Sequence, residues 1–404
     1  MKYVIIGAGP AGLHAAATLH RVDSGGDVTL LSGEATPPYA KMVLPYLLAG
    51  LMEEKNLYLP VPDGVNFRTG CKVTRINTQQ RTIATGNGET LEYDRLLIAT
   101  GGVPERPVIR GSDYPFVLTI RDLPDVQRIQ QLLKRKKKKN HAVIAGAGPV
   151  SMETGDALHR LGMKITLIVT SNRVFSTMLD VPGAAVVEDH LRKQEVDILK
   201  DEDIVRIGSH GKVTLKSGAT LDSNLVVFGK GVNPCVALLA DSGIAVRRGI
   251  AVNEHMETNI PGIFAAGDAV ETKDLVAGDQ RVNALWPAAV EQGKIAALNM
   301  AGIAANYDGS LSRNILRVFG ISIFVAGQGR TDGPEVKVSS GAGLYHKIVM
   351  DKGVLKGFIF IGEIRHEGLY KDLLQRQTGV GPFADALLRG SFTYGRFQRQ
   401  AMRI

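Results

Sequence analysis

The sequence predicts an α/β protein in which a strand, glycine turn, helix, strand unit occurs twice and is followed by a smaller α+β segment. Three observations carry this. Tyr3 to Ile6 is a short β-rich run that leads directly into Gly7-Ala8-Gly9-Pro10-Ala11-Gly12. His141 to Ala145 leads in the same way into Gly146-Ala147-Gly148-Pro149-Val150-Ser151. Beyond Asn306-Tyr307-Asp308-Gly309 the pattern turns antiparallel, with β-rich runs joined by turn signals.

In the first unit the turn is followed by a helix-like stretch from Leu13 to Arg21 and a second strand from Val28 to Leu31. This order, more than the glycines alone, is what a Rossmann-like dinucleotide-binding fold requires. Gly7 permits the tight turn and Gly9 lets backbone amides approach a pyrophosphate. Gly12 lets helix and strand pack closely, with Pro10 and Ala11 opening the helix whose N-terminus faces the phosphates. Glu34 lies 22 residues beyond Gly12, near where an acid would accept hydrogen bonds from an adenosine ribose. Ser32 and Gly33 intervene, and an exposed loop acid is the competing reading.

The second unit continues with a helix to about Arg160 and a strand from Ile165 to Val169. Pro149 and Val150 take the places of Pro10 and Ala11, and Ser151 replaces the third glycine. After the strand, Val169-Thr170-Ser171-Asn172-Arg173 lacks the acid that favours NAD over NADP. Hydroxyls together with Arg173 suit a 2′-phosphate, which leans the second site to NADPH.

At 404 residues the chain suggests two or three domains, and its 44% hydrophobic content with 6% aromatics suits a glycine-rich α/β enzyme. Met1-Lys2 enters the first strand at once, with no room for a signal-peptide core, and no uncharged apolar run approaches the roughly 18 residues of a membrane span. The expectation is a cytoplasmic protein with no membrane association. The two cysteines, Cys71 and Cys235, are far apart and in no metal-ligand spacing, so inert buried thiols are expected and no metal site. The formal charge is +8, and residues 301–404 hold 14 Lys or Arg against 8 Asp or Glu. Such a surface attracts an acidic protein partner, with a solvated face as the bland alternative and nucleic acid disfavoured. The run from Lys134 to Lys139 reads as an exposed loop before a buried strand.

Two further motifs complete a pattern: Tyr93-Asp94-Arg95-Leu96-Leu97-Ile98-Ala99-Thr100-Gly101 between the two units and Thr258-Asn259-Ile260-Pro261-Gly262-Ile263-Phe264-Ala265-Ala266-Gly267-Asp268 after them. Together the four resemble, in order, the pyridine nucleotide–disulfide oxidoreductase superfamily over about residues 1 to 300. The resemblance implies two Rossmann-like domains of the three-layer ββα type plus a small α+β C-terminal domain. It implies FAD on a discontinuous domain, 1–110 and 241–305, NAD(P)H as co-substrate on 111–240, and a C-terminal domain at 306–404. Thr100-Gly101 would close the first FAD segment, and Asp268 beside Gly267 would bond the flavin ribitol chain. The backbone of Val73 would meet the adenine. Asn283 to Pro287 would open a helix reaching Met300, its N-terminus at the flavin pyrimidine edge, where it favours the negative charge of reduced flavin. Trp286 would shield the flavin or serve as core.

Pro38-Tyr39-Ala40-Lys41-Met42-Val43-Leu44-Pro45-Tyr46 resembles the stretch that carries a redox cysteine in coenzyme A disulfide reductases and NADH peroxidases. Here that position is Met42, and a thioether forms neither thiolate nor reversible sulfenic acid. The resemblance is therefore nearest to rubredoxin-, ferredoxin- and nitrite-reductase-like NAD(P)H:FAD oxidoreductases. It implies hydride transfer from nicotinamide to flavin, then electron transfer to an acidic carrier protein or a redox partner subunit. An oxidase using oxygen directly, or a redox-sensing flavin scaffold, are the alternatives. Lys41 matches a basic residue beside the flavin, and Glu153 one at the flavin–nicotinamide junction, where the two would pair.

In the last hundred residues, Leu344 to Met350 and Val354 to Ile361 form a hairpin through Asp351-Lys352-Gly353, and Leu369 to Gln377 reads as a helix. This resembles the C-terminal domain of rubredoxin-reductase-like enzymes, and a homodimer is compatible with it. Neither His346 nor His366 is in a catalytic context. The basic tail from Arg389 to Arg403, interleaved with Phe392, Tyr394 and Phe397, is expected to dock a carrier or a subunit.

Overall fold

A computed structural model of the chain describes residues 1–135 and 141–401. The first part supplies β1 (Lys2–Ile6), α1 (Pro10–Val22), β2 (Asp27–Leu31), β3 (Asn66–Arg68) and β4 (Arg95–Ile98). Then come β5 (Val117–Thr119), β6 (His141–Ala145), α2 (Pro149–Arg160), β7 (Lys164–Val169), α3 (Val181–Lys193), β8 (Asp197–Lys200) and β9 (Leu225–Phe228). After β10 (Ile263–Ala265) and α4 (Trp286–Met300) follow β11 (Arg313–Val318), β12 (Ile321–Gly327), β13 (Glu335–Gly341), β14 (Leu344–Asp351) and β15 (Val354–Ile361). Helices α5 (Glu367–Arg376), α6 (Ala384–Leu388) and α7 (Tyr394–Ala401) end the described chain.

These elements gather into two compact units. One is Met1–Val43, Met52–Val103 and Val232–Ser310, and the other is Leu44–Leu51, Pro104–Gly231 and Leu311–Ile404. Residues 104–231 and the last hundred residues thus fold as one body. The short segment Leu44–Leu51 belongs with them.

In the first unit a five-stranded sheet has the order β10-β4-β1-β2-β3, parallel throughout. β1 and β2 read as nearly unbroken apolar runs because a parallel strand is covered on both faces. A three-stranded antiparallel meander, Val73–Asn77, Thr82–Thr85 and Thr90–Glu92, adds the third layer. α1 starts at Pro10, three residues before the apolar stretch that marks it in sequence, because Pro10 sits in the first turn and Leu13 N–H already donates to Gly9 O at 2.9 Å.

The second unit repeats the plan. Its parallel sheet has the order β8-β7-β6-β9-β5, and its meander is Ile204–Ile207, Lys212–Leu215 and Thr220–Asp222. The C-terminal sheet is antiparallel, β11-β12-β15-β14-β13, and packs against α2 and α3. The β14–β15 hairpin closes on Lys352 (φ 49°) and Gly353 (φ 71°), a pair of left-handed residues that matches the twist of the strands.

Candidate functional site

In the first unit, β1, β4 and β10 run parallel with Ile6, Ile98 and Ala265 in one row. The turns after them therefore open at the same edge: the glycine turn, Thr100-Gly101 and Ala266-Gly267-Asp268. That edge lies outside the carboxyl ends of the strands, where the chain leaves β1 and β4 in different directions, the usual position of a dinucleotide in such sheets.

Each glycine of the first turn has its own reason. Gly7 has φ +111°, and a Cβ there would stand 2.1 Å from Ala99 O. A Cβ on Gly12 would stand 1.9 Å from Gly7 O, so the helix can approach the turn only without a side chain. Gly9 differs from both. It is extended, it begins α1, and a Cβ on it would meet nothing within 4 Å. The backbone is bare at this point although packing does not demand it, which is the cradle a pyrophosphate fits.

The helix ends are prepared accordingly. No side chain caps α1 or α4, and neither has an acid in its first turn, so their leading amides stay available to a ligand. The two helices pack together at backbone distance, since a Cβ on Gly293 would lie 2.2 Å from Ala11 O. Gly267 N–H donates to buried Gln292 at 2.8 Å, and Gln292 Nε2 donates to Tyr307 Oη at 3.3 Å, with Ser310 Oγ 2.8 Å further on. This buried chain fixes the turn that presents half-buried Asp268. Thr100 Oγ1 donates to Cys235 O at 2.8 Å, and Cys235 N–H donates to Gly101 O at 2.9 Å. Trp286 is half-buried as the first residue of α4, and buried Val73 opens the meander.

Glu34 is held from two sides. Tyr39 Oη donates to its Oε2 at 2.5 Å and Lys41 Nζ to its Oε1 at 2.6 Å. Lys41, expected from the resemblance beside the flavin and paired with Glu153, is thus joined to the acid at the end of β2. Nothing in the local pattern signals this, because the two lie seven positions apart in an irregular segment.

The second glycine turn keeps the same division of labour. Gly146 has φ +124° and a Cβ there would lie 2.3 Å from Gly229 O, whereas a Cβ on Gly148 would touch nothing within 4 Å. α2 also lacks a side-chain cap and an acid in its first turn. Buried Ser151 is accommodated because its hydroxyl donates to Gly229 O at 2.9 Å, and position 229 must in turn be glycine, since a Cβ there would lie 2.1 Å from Ser151 Oγ. Gly229 escaped the sequence reading, since the glycine lost at 151 is compensated 78 residues away.

Two expectations for this unit change. Arg173 turns inward: Nε donates to Leu179 O at 3.2 Å, one terminal nitrogen to Asn172 Oδ1 at 3.0 Å and the other to Ser176 O at 3.2 Å. Its guanidinium closes its own loop, so in this arrangement it is not turned toward a 2′-phosphate. Glu153 lines a cavity of about 330 Å³ together with Tyr46, Leu51, Asp156, Arg160 and Arg317. Burial, with Asp156 nearby, pushes its carboxyl up to about 7. Asp156 is itself paired with Arg160 at 3.1 Å.

Comparison with known proteins places this geometry. The family model of the pyridine nucleotide-disulphide oxidoreductases matches residues 1–293. The chain belongs to this family. The epsilon subunit of the NADH-dependent phenylglyoxylate dehydrogenase of Aromatoleum evansii is 28% identical over 409 residues, spanning 98% of this chain and 96% of that one. The NAD(P)H nitrite reductase of Bacillus subtilis strain 168 is 28% identical across 94% of this chain, which spans only 48% of that larger protein. The crystal structure of NADH:rubredoxin oxidoreductase from Clostridium acetobutylicum has a TM-score of 0.78 at 25% identity, covering 94% of this chain and 96% of that one. As a member of the family the protein is an NAD(P)H-dependent oxidoreductase, and such proteins typically carry FAD.

The name of the family does not describe every part of this member. Met42 is 59% exposed in a short 3-10 turn, Lys41–Val43. Cys71 and Cys235 are free and only half-buried, not fully buried as expected, and burial with Glu89 nearby pushes the Cys71 thiol up. The aromatic residues of the tail are engaged within the fold. Phe392 is 1% exposed and packs edge-on against Phe383, Phe397 joins them, and Tyr394 Oη donates to Asp372. Arg403 and most of the run Lys134 to Lys139 lie outside the described residues. His346 is placed with its two ring nitrogens at Leu388 O (3.1 Å) and Glu363 O (3.0 Å), a structural position. Among the described residues no helix is long and apolar enough to cross a membrane, and no group of three or more His, Cys, Asp or Glu is placed to hold a metal ion.

Proposed function

We propose that the protein takes hydride from NAD(P)H at the second glycine turn, holds FAD at the first, and passes the electrons to a carrier protein or partner subunit of rubredoxin, ferredoxin or nitrite-reductase type. The observation that carries this reading is Met42, standing where the resemblance expects a redox cysteine. A thioether at that position offers the flavin no thiolate to reduce, so the electrons leave to another molecule. A relative that the chain matches over nearly its whole length is named as a subunit of a dehydrogenase.

FAD, when bound, supplies the two-electron acceptance of hydride and the one-electron release that couple nicotinamide to a carrier. The chain supplies the rest. The uncapped amides after Gly9 and Gly148 bind the two pyrophosphates. Asp268 accepts from the ribitol chain, Glu34 from the adenosine ribose, and the backbone of Val73 meets the adenine. The N-terminus of α4, with Trp286 leading, favours negative charge on the pyrimidine edge. Glu153, poised near neutrality, either accepts or donates a hydrogen bond on the nicotinamide side.

The deciding experiment is stopped-flow spectroscopy of the FAD-loaded protein. Anaerobic mixing with NADH or NADPH is expected to bleach the flavin absorbance within seconds, with slow reoxidation in air and fast reoxidation by a low-potential carrier such as ferredoxin or rubredoxin. Fast turnover with air alone would make it an oxidase. A stable charge-transfer complex with no turnover would make it a redox-sensing scaffold.

A further inference from the structure

The loop after β7, Thr170 to Asp180, is fastened from three directions. Phe175, itself left-handed (φ 50°) and 2% exposed, donates its N–H to Ala147 O in the second glycine turn at 2.9 Å. Val174 N–H donates to Glu188 Oε1 at 3.2 Å, a carboxylate buried in α3 and neutralised by Lys200 at 3.0 Å. The third direction is the C-terminal sheet. Asp180, which caps α3 by accepting from Gly183 N–H at 3.0 Å, also accepts from Tyr345 Oη at 2.7 Å and from Lys347 Nζ at 3.0 Å.

Lys347 is 2% exposed, and its second partner is Asp332 at 3.2 Å. A lysine is buried at this cost only where its charge is answered. The contact is close at position 183, where a Cβ would come 2.9 Å from Asp180 Oδ1 and 3.2 Å from the Tyr345 ring. Arg330, from the loop after β12, adds a bond to Ser176 O at 3.0 Å. The C-terminal sheet therefore grips both the middle and the end of a loop whose other side is tied to the glycine turn.

We propose that Tyr345 and Lys347 are positioning residues for the nicotinamide nucleotide: through Asp180 and α3 they hold the loop that follows β7 in the shape the nucleotide requires. This rests on the reading that the second glycine turn binds that nucleotide. The C-terminal domain then has a role in hydride-donor binding without touching the donor. The strained conformation at Phe175 is consistent with a loop whose shape is imposed from outside.

The test compares wild type with Tyr345→Phe, which keeps the packing and removes one hydrogen bond, and with Lys347→Met. Flavin reduction is followed against NADH and NADPH concentration in the FAD-loaded proteins. Residues along such a relay shift coupling enough to raise the half-saturating nucleotide concentration roughly 2- to 30-fold, with the limiting reduction rate and the flavin content unchanged. Tyr345→Phe secures the test if Lys347→Met fails to fold. Unchanged half-saturation in Tyr345→Phe, with only a lowered Tm, would overturn the proposal and leave the cluster a structural staple. If wild type itself is not reduced by either nucleotide, the underlying reading of the site fails instead.

Discussion

Lys41 and Glu34 form a 2.6 Å ion pair at the carboxyl end of β2, with Tyr39 Oη on the other carboxylate oxygen. Glu34 is thereby an oriented acceptor. Both side chains remain about a third exposed, 31% for Lys41 and 38% for Glu34, so the pair itself contributes at most about 1 kcal/mol to folding. Its effect belongs to the cofactor. Lys41→Met is expected to leave Tm nearly unchanged and to weaken FAD retention, read by fluorescence titration of the apoprotein. Normal FAD affinity with slowed flavin reduction would instead return Lys41 to the flavin ring, as the resemblance first implied.

Gly148 and Gly12 separate a ligand role from a packing role. A valine at 148 enters space that no protein atom fills, so Gly148→Val is expected to fold, keep FAD and lose nucleotide-dependent flavin reduction by at least tenfold, roughly the loss of one good charge-assisted contact. Gly12→Ala meets backbone at 1.9 Å and is expected to cost about 1–3 kcal/mol or more, seen as lost soluble expression or lowered Tm. A Gly148→Val protein that reduces as fast as wild type at every nucleotide concentration would take the pyrophosphate away from this turn.

The contrast also shows what was readable from sequence. Gly7 and Gly12 answer to contacts within one strand–turn–helix unit, and the order of the elements around them is local, so the fold class and the two turns could be inferred. Ser151 with Gly229 and Gln292 with Gly267 depend on chain segments brought together only by the tertiary fold, and Lys41 with Glu34 on the path of an irregular loop that no periodicity encodes. The tail belongs with these: Phe392 and Phe397 alternate with arginines as a docking face would, and their packing on Phe383 depends on the tertiary fold. Composition cannot distinguish these cases.

Glu153 gives a pH signature. Its folded-state pKa, about 7, lies above the ordinary value of 4.5 for the unfolded chain. Between those values the folded state binds more protons, so stability falls as pH rises through this window, by up to about 3 kcal/mol in total. Glu153→Gln removes the titration. The variant is expected to match wild type near pH 4 and to exceed it in Tm near pH 8, and parallel Tm curves across that range would show that the carboxyl is not buried as charge.

Ser151 and Gly229 are expected to be coupled. Gly229→Ala alone places a methyl against Ser151 Oγ and should destabilise by about 1–3 kcal/mol. Ser151→Gly alone loses the 2.9 Å bond to Gly229 O, at about 1 kcal/mol, and adds the backbone freedom of glycine. The double variant should recover part of the first loss, giving a double-mutant coupling above about 0.5 kcal/mol in denaturant unfolding. Strict additivity would mean that the helix shifts freely and that the contact is not fixed.

Arg173 decides how the nucleotide preference is to be sought. Three of its N–H groups are used on Asn172, Ser176 and Leu179, all within the loop from Thr170 to Asp180 to which Arg173 itself belongs. Arg173→Ala therefore removes loop closure and no phosphate contact. The expected outcome is a rise in half-saturation for NADH and NADPH together, with their ratio within about twofold of wild type, since a charged hydrogen bond to a 2′-phosphate would be worth about 1.5–3 kcal/mol, a tenfold change or more. A selective loss of NADPH would show that the guanidinium swings outward when the nucleotide arrives. A common loss would assign preference to the backbone shape of residues 170–180, the same shape that Tyr345 and Lys347 hold from the C-terminal sheet.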